Sequence, residues 1–334
     1  MKHQLFEFAL GDLALQSGEV LPDAKIVCKT YGRINERGDN VIVYPTWFNG
    51  QHTDNEWLIG EEMALNPNEY FIVVPNMFGN GLSTSPSNRP DLTKGRAFPL
   101  VTPYDNVKAQ HRLLTEKLGA SKVALATGWS MGAQQAYHWG ALFPDMVERL
   151  MPFCGSARTA EHNWVFLDGV RAVLSLGKTS SERDEAASRA AGRVYAGWAF
   201  SQSFYREQLW VALGFASVEE FVSDFWDGFF VKKNPLDLLA MINTWQNADI
   251  SNNERYNGDL NLALSSITAR TVVMPSRTDL YFTADDSRLE VPRLANGQLL
   301  EIDSAWGHAA GVGLNKDDSR FINSVLRKLL ADEI

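Results

Sequence analysis

Residues 123–143, VALATGWSMGAQQAYHWGALF, decide the fold of this chain. An apolar run at 123–126 leads into a Gly-x-Ser-x-Gly motif centred on Ser130, and a helical pattern follows at 133–143. The motif alone is a weak signal, but between a strand and a helix it predicts a sharp turn that raises the serine hydroxyl above the sheet. The turn also places the N–H of Met131 at a helix N-terminus, where it can stabilise an oxyanion. We therefore predict a serine nucleophile, with a packed glycine-rich turn as the structural alternative.

Other short apolar runs have the pattern of strands buried in a parallel sheet. With the run at 122–126, they lie at 41–44, 70–74, 271–274 and 299–302. Helical patterns at 106–118 and 317–330 accompany them, the first closed by Gly119. This alternation predicts an α/β fold with a mostly parallel central sheet and helices on both of its faces.

The middle of the chain has a different character. From 156 to 265 the sequence is helix-forming and rich in aromatic residues, with helical stretches at 181–199 and 235–247. The segment is either a helical subdomain with its own core or a cap whose inner face lines a pocket. We favour the cap, because strands resume after it. The predicted organisation is a first core part at 1–155, a helical cap insertion at 156–265 and a second core part at 266–334.

Composition narrows the classes of function. With 45% hydrophobic and 21% charged residues among 334, the chain is globular rather than disordered. A net charge of −9 argues against nucleic acid or an anionic membrane as a partner. No apolar run is long enough to span a membrane and no signal peptide is evident, so we predict a soluble cytoplasmic protein.

No cofactor or metal site is predicted. Cys28 and Cys154 lie in apolar stretches, and two cysteines are too few for a disulfide framework or a cysteine-rich zinc site. The stretch FGNGLS at 78–83 lacks the lysine of a phosphate-binding loop, so a tight turn is the better interpretation.

A serine nucleophile needs a base and a carboxylate that orients it. Asp279 and His308 follow the last two predicted strands, and the carboxyl ends of parallel strands meet at one edge of a sheet. Of the six histidines, His308 alone lies in the final loop region. Asp279 is preferred because it is nearest to the end of its strand. Its rivals are Asp285, Asp286 and Asp303.

The loop after the first predicted strand, at 45–50, should supply a second oxyanion donor, the backbone N–H of Phe48 or Trp47. Trp47 and Asn49 in this loop, and Trp57 just beyond it, are predicted to contact the substrate. Arg193 in the predicted cap is a candidate for binding a carboxylate, with an exposed helix arginine as the alternative.

Taken together, these segments resemble the homoserine O-acetyltransferase group of the α/β-hydrolase superfamily over nearly the full length of the chain. The resemblance lies in KTYGRINERGDNVIVYPTWFNG, FIVVPNMFGNGLSTSPSN, GWSMGAQQAYHW, SRTDLYF and LEIDSAWGHAA. It implies a catalytic triad of Ser130, Asp279 and His308, with the oxyanion donors Phe48 and Met131. It also implies that the helical insertion is a cap and that the protein is a homodimer associated through cap helices.

One departure from that group bears on function. Homoserine acetyltransferases read Gly-His-Asp after the last strand, and that aspartate is taken to bind the amino group of homoserine, whereas this chain has Ala309. Loss of this carboxylate removes a charge-assisted hydrogen bond worth about 1.5–3 kcal/mol.

The resemblance also extends to esterases that use the same triad. We therefore predict a serine esterase that hydrolyses short-chain, acetyl-type esters through an acyl-enzyme on Ser130. The alternative is an acetyl-CoA-dependent O-acyltransferase acting on homoserine or a related alcohol. A third possibility is a binding module that has lost catalysis.

Overall fold

An eight-stranded sheet forms the centre of the computed structural model, which describes residues 2–177 and 181–334. The strand order is β1-β2-β4-β3-β5-β6-β7-β8. The strands are β1 (His3–Ala14), β2 (Val20–Tyr31), β3 (Val41–Val43), β4 (Phe71–Pro75), β5 (Val123–Trp129), β6 (Arg149–Phe153), β7 (Arg270–Val273) and β8 (Gly297–Leu299). β1 and β2 pair antiparallel, β2 is antiparallel to β4, and all other pairs are parallel. The predicted mostly parallel sheet is therefore present.

Three strands were not predicted from the sequence. β1 and β2 form a hairpin at one edge, where β1 exposes most of its residues and so lacks an apolar run. β6 reads RLMPF, and its Arg149 and Pro152 interrupt the apolar pattern. The strand predicted at 299–302 overlaps β8 only at Leu299, although the N–H groups of Leu300 and Ile302 still donate to the carbonyls of Val273 and Pro275 beyond the end of the strand.

Helices connect and cover the strands. They are α1 (Pro103–Arg112), α2 (Met131–Leu142), α3 (Glu161–Ser175), α4 (Ser181–Ala199), α5 (Gln202–Arg206), α6 (Val218–Glu220), α7 (Gly228–Val231), α8 (Pro235–Gln246), α9 (Leu260–Ser265), α10 (Ala284–Glu290) and α11 (Lys316–Leu330). α1 begins before the predicted start at 106, because the Thr102 side chain caps it by accepting the N–H of Asp105. A π-helical turn, Leu113–Lys117, extends α1 to the predicted end.

The sheet is buried on both faces. In β3, Ile42 packs into one hydrophobic cluster, while Val41 and Val43 pack into the cluster on the other side. Alternate residues of a strand point to opposite faces, so a strand covered on both sides must be apolar throughout. This is why the central strands were recognisable in the sequence.

Between β6 and β7, which are neighbours in the sheet, the described chain forms α3 to α9. The chain thus leaves the sheet, builds a helical layer and returns beside the strand that it left. These helices form the predicted cap; the domain boundaries at 155/156 and 265/266 stay predictions. Within residues 2–177 and 181–334, no helix has both the length and the apolar character needed to cross a membrane.

Candidate active site

Ser130 occupies a strained turn between β5 and α2. Its backbone has φ +59° and ψ −126°, a conformation that residues other than glycine rarely adopt. The glycines on either side make room for the turn. A Cβ on Gly128 would lie 2.3 Å from the backbone carbon of Gly132, and one on Gly132 would lie 2.8 Å from the carbonyl oxygen of Pro45. The motif therefore has the geometry of a nucleophile elbow.

Both predicted oxyanion donors lie beside this elbow. Met131 is the first residue of α2, and Phe48 follows β3 in the neighbouring loop. Gln135 of α2 ties the two segments together, because its Nε2 donates to the carbonyl of Thr46 over 2.9 Å. Within the described part of the chain, neither the Phe48 N–H nor the Met131 N–H has a hydrogen-bond acceptor. Both donors are therefore free to bind an oxyanion.

Asp279 and His308 meet directly. The distance from His308 Nδ1 to Asp279 Oδ2 is 2.6 Å, and both side chains are buried. The other carboxylate oxygen accepts the N–H groups of Tyr281 and Phe282, each over 3.1 Å. These bonds hold the carboxylate in one orientation. His308 Nε2 is buried and has no partner among the described residues, so it is the ring atom free to take up a proton.

The three rival carboxylates have other partners. Asp285 pairs with Arg288 over 2.5 Å, and Asp303 with Arg277 over 2.6 Å, both at the surface. Asp286 accepts a hydrogen bond from the Thr283 hydroxyl over 2.7 Å at the start of α10. Of the four carboxylates considered, Asp279 is the one that contacts His308.

Ser130 and His308 line one pocket of about 300 Å³. This volume is at the lower end of the range of about 300–1,000 Å³ for small-molecule sites. The core contributes mainly aromatic and aliphatic side chains from Trp47, Phe48, Trp129, Tyr281, Ala309, Val312 and Leu314, together with Asp54. The cap contributes Tyr195, Ala199, Phe200, Phe225, Trp226 and Phe229. The pocket therefore admits a small, mostly apolar molecule between core and cap.

Of the residues predicted to contact substrate, Trp47 lines the pocket, whereas Asn49 and Trp57 do not. Asn49 is buried with φ +66°, and its carbonyl accepts a hydrogen bond from Lys233 over 2.9 Å. Trp57 packs against Gly313, where an added Cβ would lie 2.7 Å from the indole ring. Both residues support the loops around the pocket rather than its wall.

Arg193 also lies outside the pocket lining. Its guanidinium is 3.0 Å from the buried carboxylate of Asp227, and more than half of its side chain is exposed. Arg193 is therefore an exposed arginine on a helix, which was the alternative to a carboxylate-binding residue. The sequence could not show this, because the pairing depends on how α4 packs against the π-helical turn Phe221–Asp227.

Two tyrosines were missed as pocket residues. The hydroxyls of Tyr195 on α4 and Tyr281 beside Asp279 are 3.4 Å apart, and the Tyr195 ring stacks on Phe48 at 5.8 Å. Burial raises the pKa of both tyrosines, so both hydroxyls stay neutral. The aromatic richness of the cap was visible in the sequence, but it did not show which rings face the pocket.

Residues 48–311 match the family model described as the alpha/beta hydrolase fold. The matched span contains Ser130, Asp279 and His308 and covers most of the chain. This chain is an alpha/beta hydrolase.

Relatives with known names show which alpha/beta hydrolases this chain is similar to in sequence and structure. It is 35% identical to an ethyl acetate hydrolase of Pseudomonas veronii, over 97% of this chain and 94% of the relative. The solved structure of an acetylester hydrolase from Corynebacterium glutamicum superposes with a TM-score of 0.93 at 32% identity, covering 98% of this chain and 96% of that one. A homoserine O-acetyltransferase of Chlorobium chlorochromatii is 25% identical over 93% of this chain and 92% of its own length. The predicted relationship to this group, nearer its esterases, is confirmed.

Proposed function

We propose that this hydrolase is a serine esterase that cleaves short-chain, acetyl-type carboxylic esters. The observation that carries the proposal is the small apolar pocket lined by Ser130 and His308, where Nε2 of His308 has no partner among the described residues and Asp279 is bound to Nδ1. The names of the relatives, an ethyl acetate hydrolase and an acetylester hydrolase, support the same substrate class.

In the first half of the reaction, Ser130 Oγ attacks the acyl carbon while His308 Nε2 accepts the hydroxyl proton. The carbonyl electron pair moves to oxygen, where the N–H groups of Phe48 and Met131 stabilise the negative charge. When that pair returns, the bond to the alcohol oxygen breaks and His308 delivers the proton to the leaving alcohol. The product is an acyl-enzyme on Ser130.

In the second half, water replaces the alcohol. His308 Nε2 takes a proton from water as the water oxygen bonds to the acyl carbon, and the proton then returns to Ser130 Oγ as the acid leaves. Throughout, Asp279 holds the imidazole by Nδ1 and stabilises its protonated form.

An acyltransferase would use the same acyl-enzyme with an alcohol as the acceptor, and more distant relatives carry that name. At the position where such enzymes carry aspartate, this pocket has the buried, apolar Ala309. A homoserine ammonium would lose its water there without gaining a charge partner. We therefore favour water as the acceptor.

The test compares acetate release from ethyl acetate and p-nitrophenyl acetate with acetyl transfer from acetyl-CoA to homoserine. We expect ester hydrolysis to dominate, and Ser130→Ala to lower kcat by more than about a thousandfold. Ser265→Ala, at an exposed position on α9, is the matched control. Homoserine acetylation faster than ester hydrolysis would overturn the proposal.

We further propose that the enzyme is a cytoplasmic homodimer associated through cap helices. The resemblance noted in the sequence supports the dimer, and exposed apolar side chains on the cap, Val165 and Val211 among them, are consistent with it. The net charge of −9 argues against nucleic acid and anionic membranes as partners.

A further inference from the structure

Trp129, the residue immediately before the candidate nucleophile, makes a buried contact with the candidate base. Its indole Nε1–H donates a hydrogen bond to the backbone carbonyl of His308 over 3.0 Å. The indole ring also lies against the imidazole, with ring centroids 4.6 Å apart and planes at 32°. The first variable position of the Gly-x-Ser-x-Gly motif is thus bonded to a residue 179 positions away in the sequence.

The surroundings hold this indole in place. Trp47 from the oxyanion loop packs edge-on against it at 4.6 Å. On the side of the histidine turn, the absence of a side chain at Gly311 makes room, because a Cβ there would lie 2.2 Å from Trp129 Cδ1. The indole is therefore wedged between the loop that carries Phe48 and the turn Gly307–Gly311 that carries His308.

The Asp279 carboxylate alone does not fix the imidazole. A single hydrogen bond at Nδ1 leaves the ring free to swing about that contact, which would move Nε2 relative to Ser130. Trp129 restrains one face of the ring and Tyr281 contacts it at 4.5 Å, while the bond to the His308 carbonyl anchors the backbone. Proton transfer needs a heavy-atom separation of about 2.6–3.2 Å, so a small swing has a large effect on rate.

We propose that Trp129 is a positioning residue that sets the place of His308 relative to Ser130 through its indole N–H and ring face. The inference rests on the proposed esterase function. It assigns a role to the first variable residue of the motif: the turn between β5 and α2 presents the nucleophile, and Trp129, the last residue of β5, aligns the base.

The test separates the N–H from the shape of the side chain. Replacing Trp129 with 3-benzothienylalanine preserves the bicyclic shape and deletes the donor. With p-nitrophenyl acetate, we expect kcat to fall by roughly tenfold to a hundredfold, the range expected for misplacement of a catalytic group. We expect KM to change less than twofold, because the pocket wall keeps its shape. Trp164→Phe, at a half-exposed cap position, is the control.

A second variant displaces the indole without touching it. Gly311→Ala should force Trp129 from its position and lower kcat in the same way. In the Trp129→Ala background the added methyl group has no indole to displace, so its effect on kcat should largely disappear. This coupling between the two sites identifies their shared contact.

The outcomes distinguish the two proposals. If the wild-type protein hydrolyses neither ester, the esterase function fails. If it hydrolyses them and the benzothienyl variant retains kcat, or changes KM alone, the positioning role of Trp129 is wrong. Equal effects of Gly311→Ala on kcat in both backgrounds would contradict it as well.

Discussion

Glu290, at the end of α10, is a residue away from the site whose protonation state the fold changes. Its carboxyl is buried, and one oxygen accepts the N–H of Ala157 over 2.9 Å while the other has no partner among the described residues. Burial raises the pKa of Glu290 to about 8. The native protein therefore holds a proton that the unfolded chain, with an ordinary glutamate pKa of about 4.3, releases at neutral pH.

The consequence is a pH-dependent loss of stability. Between pH 5 and 8 the unfolded chain releases this proton and the native protein does not, so the free energy of unfolding falls as pH rises. The contribution of Glu290 to the free energy of unfolding is fully present below the pKa that this residue has in the unfolded chain, and it is lost by about pH 8. Glu290→Gln removes this titrating group. We therefore expect the free energy of unfolding of the variant, measured in urea, to decrease less between pH 5 and pH 8 than that of the wild type, by about 1–3 kcal/mol. Glu61→Gln at an exposed site is the control, and parallel pH profiles for all three proteins would contradict the prediction.

Among the elements, the turn from β5 to α2 requires glycine at particular positions. We expect Gly128→Ala to reduce the free energy of unfolding by more than about 2 kcal/mol, because its Cβ would overlap the backbone of Gly132. Gly169→Ala is the matched control. It lies in α3 with no atom near the added methyl group, and it should stabilise the protein by about 0.5–1 kcal/mol. Urea unfolding measures both, and equal shifts would show that crowding at the elbow is unimportant.

Lys233 connects the cap to the oxyanion loop through a hydrogen bond. Lys233, just after α7, donates to the carbonyl of Asn49, the residue after the candidate oxyanion donor Phe48. Burial lowers the pKa of Lys233. We expect Lys233→Met to reduce kcat for ester hydrolysis by about tenfold, the equivalent of one lost hydrogen bond from a charged donor. Lys232→Met, at the exposed neighbouring position, is the control and should leave kcat unchanged. Similar kcat values for the two variants would show that the hydrogen bond from Lys233 to Asn49 does not affect catalysis.

At the scale of the whole molecule, the proposed dimer through cap helices fixes the mass expected in solution. We expect sedimentation equilibrium to give about twice the chain mass of 37.3 kDa. Val165→Glu on the cap should shift the equilibrium toward the monomer, because a charge buried in an apolar interface is costly. Leu289→Glu on the core is a control of similar exposure, 64% against 61% for Val165. A monomeric wild type, or equal dissociation by both variants, would contradict association through the cap.

Much of the fold was predictable because its signals are local. A strand buried on both faces must be apolar over four or five consecutive residues, and a strand, a sharp turn and a helix follow one another directly around Ser130. In the edge hairpin, β1 escaped prediction because a strand with an exposed face needs no apolar run, whereas the largely buried β2 carries Asp23, Lys25 and Lys29 within its apolar residues. Asp279 and His308 were identifiable because each follows the end of a recognisable strand.

By itself, the sequence determined the α/β architecture, and it pointed to Asp279 and His308, whose side chains meet, and to Ser130, which lines the same pocket as His308. Only the tertiary structure decided which of the many rings line the pocket, that Arg193 pairs with Asp227, and that Trp129 reaches His308. The physical reason is how far apart in the sequence the interacting residues lie for each of these features. Strand and turn preferences act between neighbouring residues, whereas a pocket wall is set by packing between segments that are more than a hundred residues apart.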